Sequence, residues 1–229
     1  MAVNVHFFPI VLSNLNKPWE QVLHLGTPIS FPAKSVITGR SPGVSKEPGM
    51  YYIKSGRVRL SHLTMHGHEK MLLYMGSGML FNEVPMLRVA SDYMFTCLDA
   101  TDAVYWTRKC ITHEFILEHP DLILNLMEAM GSKTQSFYTQ LCGMSSYGAF
   151  INVCRVLYSM FLFQQERGNV VPGLTKQELA AYLGIHRSSL HKALARLQDE
   201  NVIGSYTRSS LQVSDVETLR NYAEQLIED

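Results

Sequence analysis

The sequence has no excess of charge of either sign. Its 20 Lys and Arg balance 20 Asp and Glu, for a formal net charge of +0 at pH 7. A chain that coats nucleic acid along its whole length is thereby excluded; any DNA site must be local, with basic residues grouped on one element. Long apolar runs are also missing. The Phe161-Leu162-Phe163 triplet falls far short of the ~20 residues that span a bilayer. The opening stretch, Met1 to Glu20, lacks the basic start and small-residue cleavage site of a signal peptide, so a soluble, cytoplasmic protein without a membrane partner is expected. Cysteine is sparse: Cys97, Cys110, Cys142 and Cys154 form no CxxC, no CxxCH and no zinc or iron–sulfur spacing. They read as small buried hydrophobes in a reducing compartment. No P-loop, GxSxG, HExxH or informative pair of carboxylates occurs, so no enzyme is expected.

What is there suffices for two domains: 229 residues, 46% of them hydrophobic. Residues 1–30 suggest an N-terminal helix or two and a loop. Residues 31–110 carry strand signals. Tyr51, Ile53, Val58 and Leu60 alternate with polar neighbours around Ser55-Gly56, which predicts a hairpin. The run from Ser61 to Met75 repeats the form, with His66-Gly67-His68 as its turn. Phe95 and Cys97, then Ala103 to Trp106, give two further strands. Short strands punctuated by glycine predict a small barrel or roll. The period then changes. Phe115, Leu122, Leu126, Met130, Phe137 and Leu141 predict one amphipathic helix over roughly 113–143, a natural dimer seam, with a hinge at Ser145-Ser146-Tyr147-Gly148.

The segment from Leu174 to Leu197 is the most informative. Thr175 followed by Glu178 is a capping box, in which hydroxyl and carboxylate satisfy free N–H groups at a helix start. Gly184 ends that helix and permits a tight turn. Leu190, Leu194 and Leu197 then bury the next helix, leaving Arg187, Ser188, Ser189, His191 and Lys192 on its polar face. These donors and cations suit a major groove. Arg187 is the candidate for a bidentate guanine contact, Ser188 and His191 for base edges, and Ser189, Lys192 and Lys176 for phosphates. Residues 201–213 read as two strands with a polar tip, a wing carrying Arg208 toward the DNA backbone. The tail from Asp215 predicts another amphipathic helix through Val216, Leu219, Tyr222 and Leu226.

Roll, long helix and winged helix in that order resemble the cyclic-AMP receptor protein/FNR superfamily. The resemblance covers about 50–229. It is carried by Tyr52-Ile53-Lys54-Ser55-Gly56-Arg57-Val58-Arg59-Leu60, by Gly76-Ser77-Gly78-Met79-Leu80-Phe81-Asn82-Glu83, and by the helix-turn-helix. It implies an α+β fold: an N-terminal β-roll (a cupin-like jelly roll) that senses an effector over 1–112, a dimerisation helix and hinge over 113–145, and a winged helix-turn-helix over 146–229. It also implies a homodimer on palindromic double-stranded DNA, a small-molecule effector, RNA polymerase as a further partner, and activation more than repression.

Two departures from the family pattern stand out. Glu83 matches the glutamate that holds the ribose in cyclic-nucleotide binders, but Ser91 and Asp92 stand where an Arg-Ser or Arg-Thr pair would hold the phosphate, and Arg88 is off register. Asp92 would repel a phosphate. In the recognition helix the usual Arg-Glu is Arg187-Ser188, which implies a different half-site.

Within the superfamily the sequence looks closest to the halorespiration regulators, through Glu69 to Tyr74, Trp106, Gly131-Ser132-Lys133 and Phe137-Tyr138. That likeness implies an effector site with Lys133, Tyr74, Glu83 and Phe137, taking an organic molecule, anionic or aromatic, other than cyclic AMP. The competing reading leaves Lys133 solvated on its helix. No cofactor is firmly expected. The alternative is a haem-based gas or redox sensor of the same superfamily, with His24, His62, His66 and His68 as candidate ligands.

Overall fold

The computed structural model describes residues 10–38, 49–63, 69–86, 93–164 and 170–225. The chain divides into two compact units, Val11–Thr134 and a second from Gln135 onward. The expected turn at His66-Gly67-His68, together with Arg88, Ser91, Asp92 and Leu226, lies outside the described residues.

The first unit is built on two sheets. One joins β1 (Val11–Leu12), β6 (Glu69–Met75), β5 (Val58–Leu63), β8 (Tyr93–Cys97) and β3 (Val36–Thr38) in that spatial order. The other joins β2 (Thr27–Phe31), β9 (Thr101–Thr107), β4 (Gly49–Ser55) and β7 (Leu80–Phe81). Phe81 meets Phe95 of the first sheet with ring centroids 5.1 Å apart, and stacks on Tyr51 at 4.8 Å. Aromatic side chains thus fill the space between the sheets.

The hairpin expected at Ser55-Gly56 does not form, because β4 and β5 do not pair with each other. The turn exists, with Gly56 at φ +90°, but β4 pairs with β7 and β9 whereas β5 pairs with β6 and β8. Gly56 therefore carries the chain from one sheet to the other. A Cβ there would meet the Ala100 carbonyl at 2.6 Å, which explains the glycine. The second predicted strand pair, β5 with β6, is an antiparallel hairpin. Of the expected N-terminal helix or two, the described residues from 10 onward hold a 3-10 helix over Lys17–Leu25, then strand β2; residues 1–9 lie outside the described residues.

The predicted single helix over 113–143 is two helices. Thr112 caps α2 (His113–Glu118), its Oγ1 accepting from the Phe115 N–H at 3.1 Å. Pro120 then opens α3 (Pro120–Ser146). Proline cannot donate to a preceding turn but fits the first turn of a new helix. The expected stripe also splits. Leu122 is buried and Leu126, Met130 and Phe137 are half-buried, while Leu141 is 67% exposed. The buried line is Leu122, Ala129, Lys133 and Ser136. Nearly opposite it at 3.6 residues per turn runs an exposed line: Leu124, Met127, Gly131, Thr134, Tyr138 and Leu141.

In the second unit, α3 ends at Ser146 and α4 (Ala149–Leu162) begins after Gly148. Asn152 of α4 donates to the carbonyls of Gly143 at 2.6 Å and Tyr147 at 3.2 Å, tying the break together. Helices α5 (Lys176–Leu183), α6 (Arg187–Asp199) and α7 (Val216–Glu224) pack with α4 around Leu157, Leu179, Leu194, Leu197 and Leu219. Strands β10 (Ile203–Tyr206) and β11 (Leu211–Val213) pair antiparallel.

Candidate DNA interface and effector site

The helix-turn-helix is held by local chemistry. The Glu178 N–H donates to Thr175 Oγ1 at 3.2 Å and the Thr175 N–H donates to Glu178 Oε2 at 2.6 Å, completing the capping box. Gly184 sits at φ +65°, and the next N–H, of Ile185, returns to the Ala180 carbonyl at 3.1 Å. That left-handed cap turns the chain within two residues into α6. Leu190, Ala193, Leu194 and Leu197 bury one face of α6.

On the other face Arg187, Ser188, His191 and Lys192 are exposed and Ser189 is half-buried. Lys176 is exposed at the start of α5. Arg208 is exposed at the tip of the wing, where its carbonyl accepts from the Gly173 N–H at 2.9 Å. The wing turn is closed by the Ser210 N–H on Thr207 Oγ1 at 2.9 Å.

One residue escaped the sequence reading. His186 is the N-cap of α6: its Nδ1 accepts from the Ser188 N–H at 3.3 Å and lies 2.8 Å from Ser188 Oγ. An Nδ1 that accepts carries no proton, so the ring's hydrogen sits on Nε2. Ser188, expected on base edges, spends hydroxyl capacity on this cap. The signal available in sequence was position alone: His186 follows the left-handed glycine by two.

In the first unit, Lys133 and Glu83 come together. The Lys133 ammonium donates to Glu83 Oε1 at 2.5 Å and to the Leu80 carbonyl at 2.7 Å. The side chains are 9% and 7% exposed. Lys133 is therefore not a solvated helix residue. Glu83 opens α1 (Glu83–Met86), the single turn after β7. The Leu80 N–H donates to Asn16 Oδ1 at 3.0 Å, and Asn16 Nδ2 donates to Asn125 of α3 at 3.0 Å.

Tyr74 is buried on β6, in the cross-strand row of Arg59 and Thr96. The adjacent row, Leu73, Leu60 and Phe95, is the one that meets Phe81. Side chains alternate along a strand, so Tyr74 faces away from that interior. Phe137 is half-buried and belongs to the other compact unit. His24 lies in the last turn of the 3-10 helix and His62 is half-buried on β5. Among the described residues no group of three or more His, Cys, Asp or Glu could hold a metal ion, and no helix is long and apolar enough to cross a membrane. The four cysteines are thiols, Cys97 and Cys154 buried and Cys110 and Cys142 half-buried. Burial pushes the Cys154 thiol up to about 12.

Residues 153–222 match the family model of the Crp-like helix-turn-helix domain. The chain is 26% identical over 206 residues to the CRP-like cAMP-activated global transcriptional regulator of Mycobacterium tuberculosis, covering 86% of this chain and 88% of that one. It is 21% identical over 189 residues to the cAMP-activated global transcriptional regulator CRP of Haemophilus influenzae, covering 78% and 80%. The chain is thus similar to CRP-type regulators over most of its length and matches the Crp-like helix-turn-helix domain at its C-terminal end. It is a DNA-binding transcription regulator of that type, as these relatives are.

The fold of this regulator is shared across 93% of its length with a CooA mutant from Carboxydothermus hydrogenoformans, at TM-score 0.76 and 16% identity over all of that chain. It is shared across 92% with OCPA-complexed CprK, at TM-score 0.75 and 18% identity over 98% of that chain. An N-terminal β-sheet domain and a C-terminal helix-turn-helix domain are common to these folds.

Proposed function

We propose that this regulator acts as a homodimer on a two-fold symmetric DNA site, under control of a small organic effector other than cyclic AMP that is read in the N-terminal unit beside α3. The roles divide as sensing over 1–112, dimerisation and hinge over 113–145, and DNA binding over 146–229. The observation that carries the DNA reading is the exposed face of α6, where Arg187, Ser188, His191 and Lys192 project beyond a helix buried by three leucines. Arg187 reads a base, His191 and Ser188 lie beside it, and Ser189, Lys192, Lys176 and Arg208 hold the backbone. In a dimer the two α6 helices meet adjacent major-groove turns about 34 Å apart.

The dimer reading is supported by the outer line of α3. Leu124, Met127, Gly131, Thr134, Tyr138 and Leu141 follow one another at intervals of three and four, the heptad spacing of a coiled-coil seam. The effector reading is supported by Lys133 and Glu83, two buried charges on elements 50 residues apart. Tyr74 and Phe137 have no such support. Cyclic AMP is disfavoured because Glu83, the ribose-binding match, is already committed to Lys133. A DNA-bound dimer would then recruit RNA polymerase.

The test is selection of full-length protein on random duplexes, followed by binding measurements at fixed salt. The expected site is a palindrome. Arg187→Ala costs about 1–3 kcal/mol and relaxes one base position per half-site. A variant that binds every operator variant as wild type does would remove Arg187 from the interface.

A further inference from the structure

A buried ammonium on a long helix is an unusual object, because a desolvated charge without a partner is costly. Here the partner is internal. Glu83 Oε1 lies 2.5 Å from Lys133 Nζ, and both side chains are more than nine-tenths buried. We propose that Glu83 is a ligand carried in cis: its carboxylate occupies Lys133 as the anionic group of a diffusible molecule would, so the wild-type chain fills this cation site itself and takes no anionic effector there.

The surroundings give the pair leverage. Leu80, between Asn16 and Lys133, is bonded through both backbone polar groups. Its carbonyl accepts from Lys133, and its N–H donates to Asn16, which donates in turn to Asn125. Lys133 and Asn125 stand eight residues apart on α3, close to two turns, and so share a face. Asn125 also donates to the Leu15 carbonyl at 2.8 Å. Helix α3 is thus fastened to one corner of the roll at two points, and Glu83 closes one of them. Whatever occupies Lys133 sets how that fastening is made.

An anion arriving from solution would have to expel Glu83, leaving a buried carboxylate stripped of its cation. A cation would have to expel Lys133 at the same penalty. Only an uncharged molecule can join the corner and leave the pair intact. One oxygen of Glu83 is free for it, since Oε2 has no hydrogen-bond partner among the described residues. A diffusible effector of this corner is therefore uncharged.

This rests on the regulator reading only in taking the corner for an effector site, and its main test does not use DNA. Full-length wild type, Glu83→Ala, Glu83→Gln and the double variant Glu83→Ala with Lys133→Met are melted and titrated with sodium formate and sodium acetate against sodium chloride at matched ionic strength. Removing Glu83 lowers Tm. Formate or acetate then raises the Tm of Glu83→Ala saturably, with an affinity at least tenfold above any effect on wild type, and does nothing for the double variant. Glu83→Gln, which keeps the side chain's volume, also takes the carboxylates more tightly than wild type.

Equal response of wild type and both Glu83 variants overturns the proposal. So does carboxylate binding to wild type that disappears in the single variant Lys133→Met, melted and titrated in the same way, an arm that stands even if the Glu83 variants fail to fold. On the DNA selected by wild type, Glu83→Ala binds at least tenfold more weakly and recovers with formate. Failure to select any DNA would instead sink the regulator reading and leave the melting result standing.

Discussion

Replacing Leu124 and Met127 by glutamate places charge on the proposed seam of α3 without touching the core. The two side chains are 62% and 64% exposed, and Tyr138 and Leu141 on the same line are 61% and 67% exposed. Fully burying a Leu or Met contributes about 1.5–3 kcal/mol, so about 1–2 kcal/mol per side chain is still to be gained by covering these two. In a symmetric dimer each substitution counts twice. Leu124→Glu alone forfeits about 2–4 kcal/mol, and the pair about 4–8 kcal/mol before the repulsion of four carboxylates. At ~1.4 kcal/mol per tenfold, the single variant weakens the dimer roughly 30- to 1,000-fold. Sedimentation velocity over a wide concentration range reads this directly. Circular dichroism and Tm at concentrations where wild type is monomeric serve as the control, and both stay unchanged. A double variant that still sediments as a dimer with a Kd within threefold of wild type would show that this line is not the seam.

The N-cap of α6 separates two roles of one side chain. His186→Ala loses an acceptor at the helix start, worth about 1 kcal/mol of stability, whereas His186→Asn, with a side-chain oxygen of preferred type, restores it. If DNA affinity recovers with stability in His186→Asn, the ring acts only as a cap; if it does not, Nε2–H touches DNA. Alkaline stability follows from Cys154 and Tyr182, both pushed up to about 12 by burial. Each stays protonated in the fold while the unfolded chain releases its proton near the ordinary value, so stability falls as pH rises from about 9 toward 12. Chemical denaturation at a series of pH values checks the sign, and a rising midpoint would refute it. The same burial predicts that iodoacetamide modifies Cys110 and Cys142 of the native chain well before Cys97 and Cys154.

The DNA-binding half was the more legible because its determinants are short-range. Thr175 and Glu178 are three residues apart, Gly184 ends their helix, and the leucines of α6 recur every three or four. Such chemistry is settled within a turn or two and leaves its trace in order along the chain. The hairpin at Ser55-Gly56 failed for the opposite reason. A strand–glycine–strand pattern fixes a turn, but which sheet each strand joins depends on β9, which runs between β2 and β4 and is almost fifty residues away. The break at His119 was available in the sequence, since Pro120 cannot sit inside a helix without disrupting it, yet the apolar spacing on either side concealed it. His186 was overlooked because two serines beside it are better caps by propensity. The left-handed glycine, not propensity, sets where α6 begins.

Lys133 shows where local pattern runs out altogether. Its spacing on α3 places it on the same side as Leu122 and Ala129, a buried face on which a lysine is costly, and nothing within a helical turn of it is acidic; the nearest on the helix, Glu128, is exposed. The compensation comes from Glu83, across a turn of chain that ends β7. One face of α3 is fastened to the roll through Asn125 and Lys133, while the opposite face carries the exposed heptad line. Leu124, Met127 and Gly131 of that line lie in the same unit as Lys133, so a change in the helix's seat moves what it presents there. On the proposed reading, a molecule that binds differently to two seatings of Lys133 biases the proposed seam, and only by as much as its affinities for the two differ. Because Glu83 already satisfies the cation, charge is not where that difference arises; it must come from shape and from hydrogen bonds to the oxygen that Glu83 leaves free.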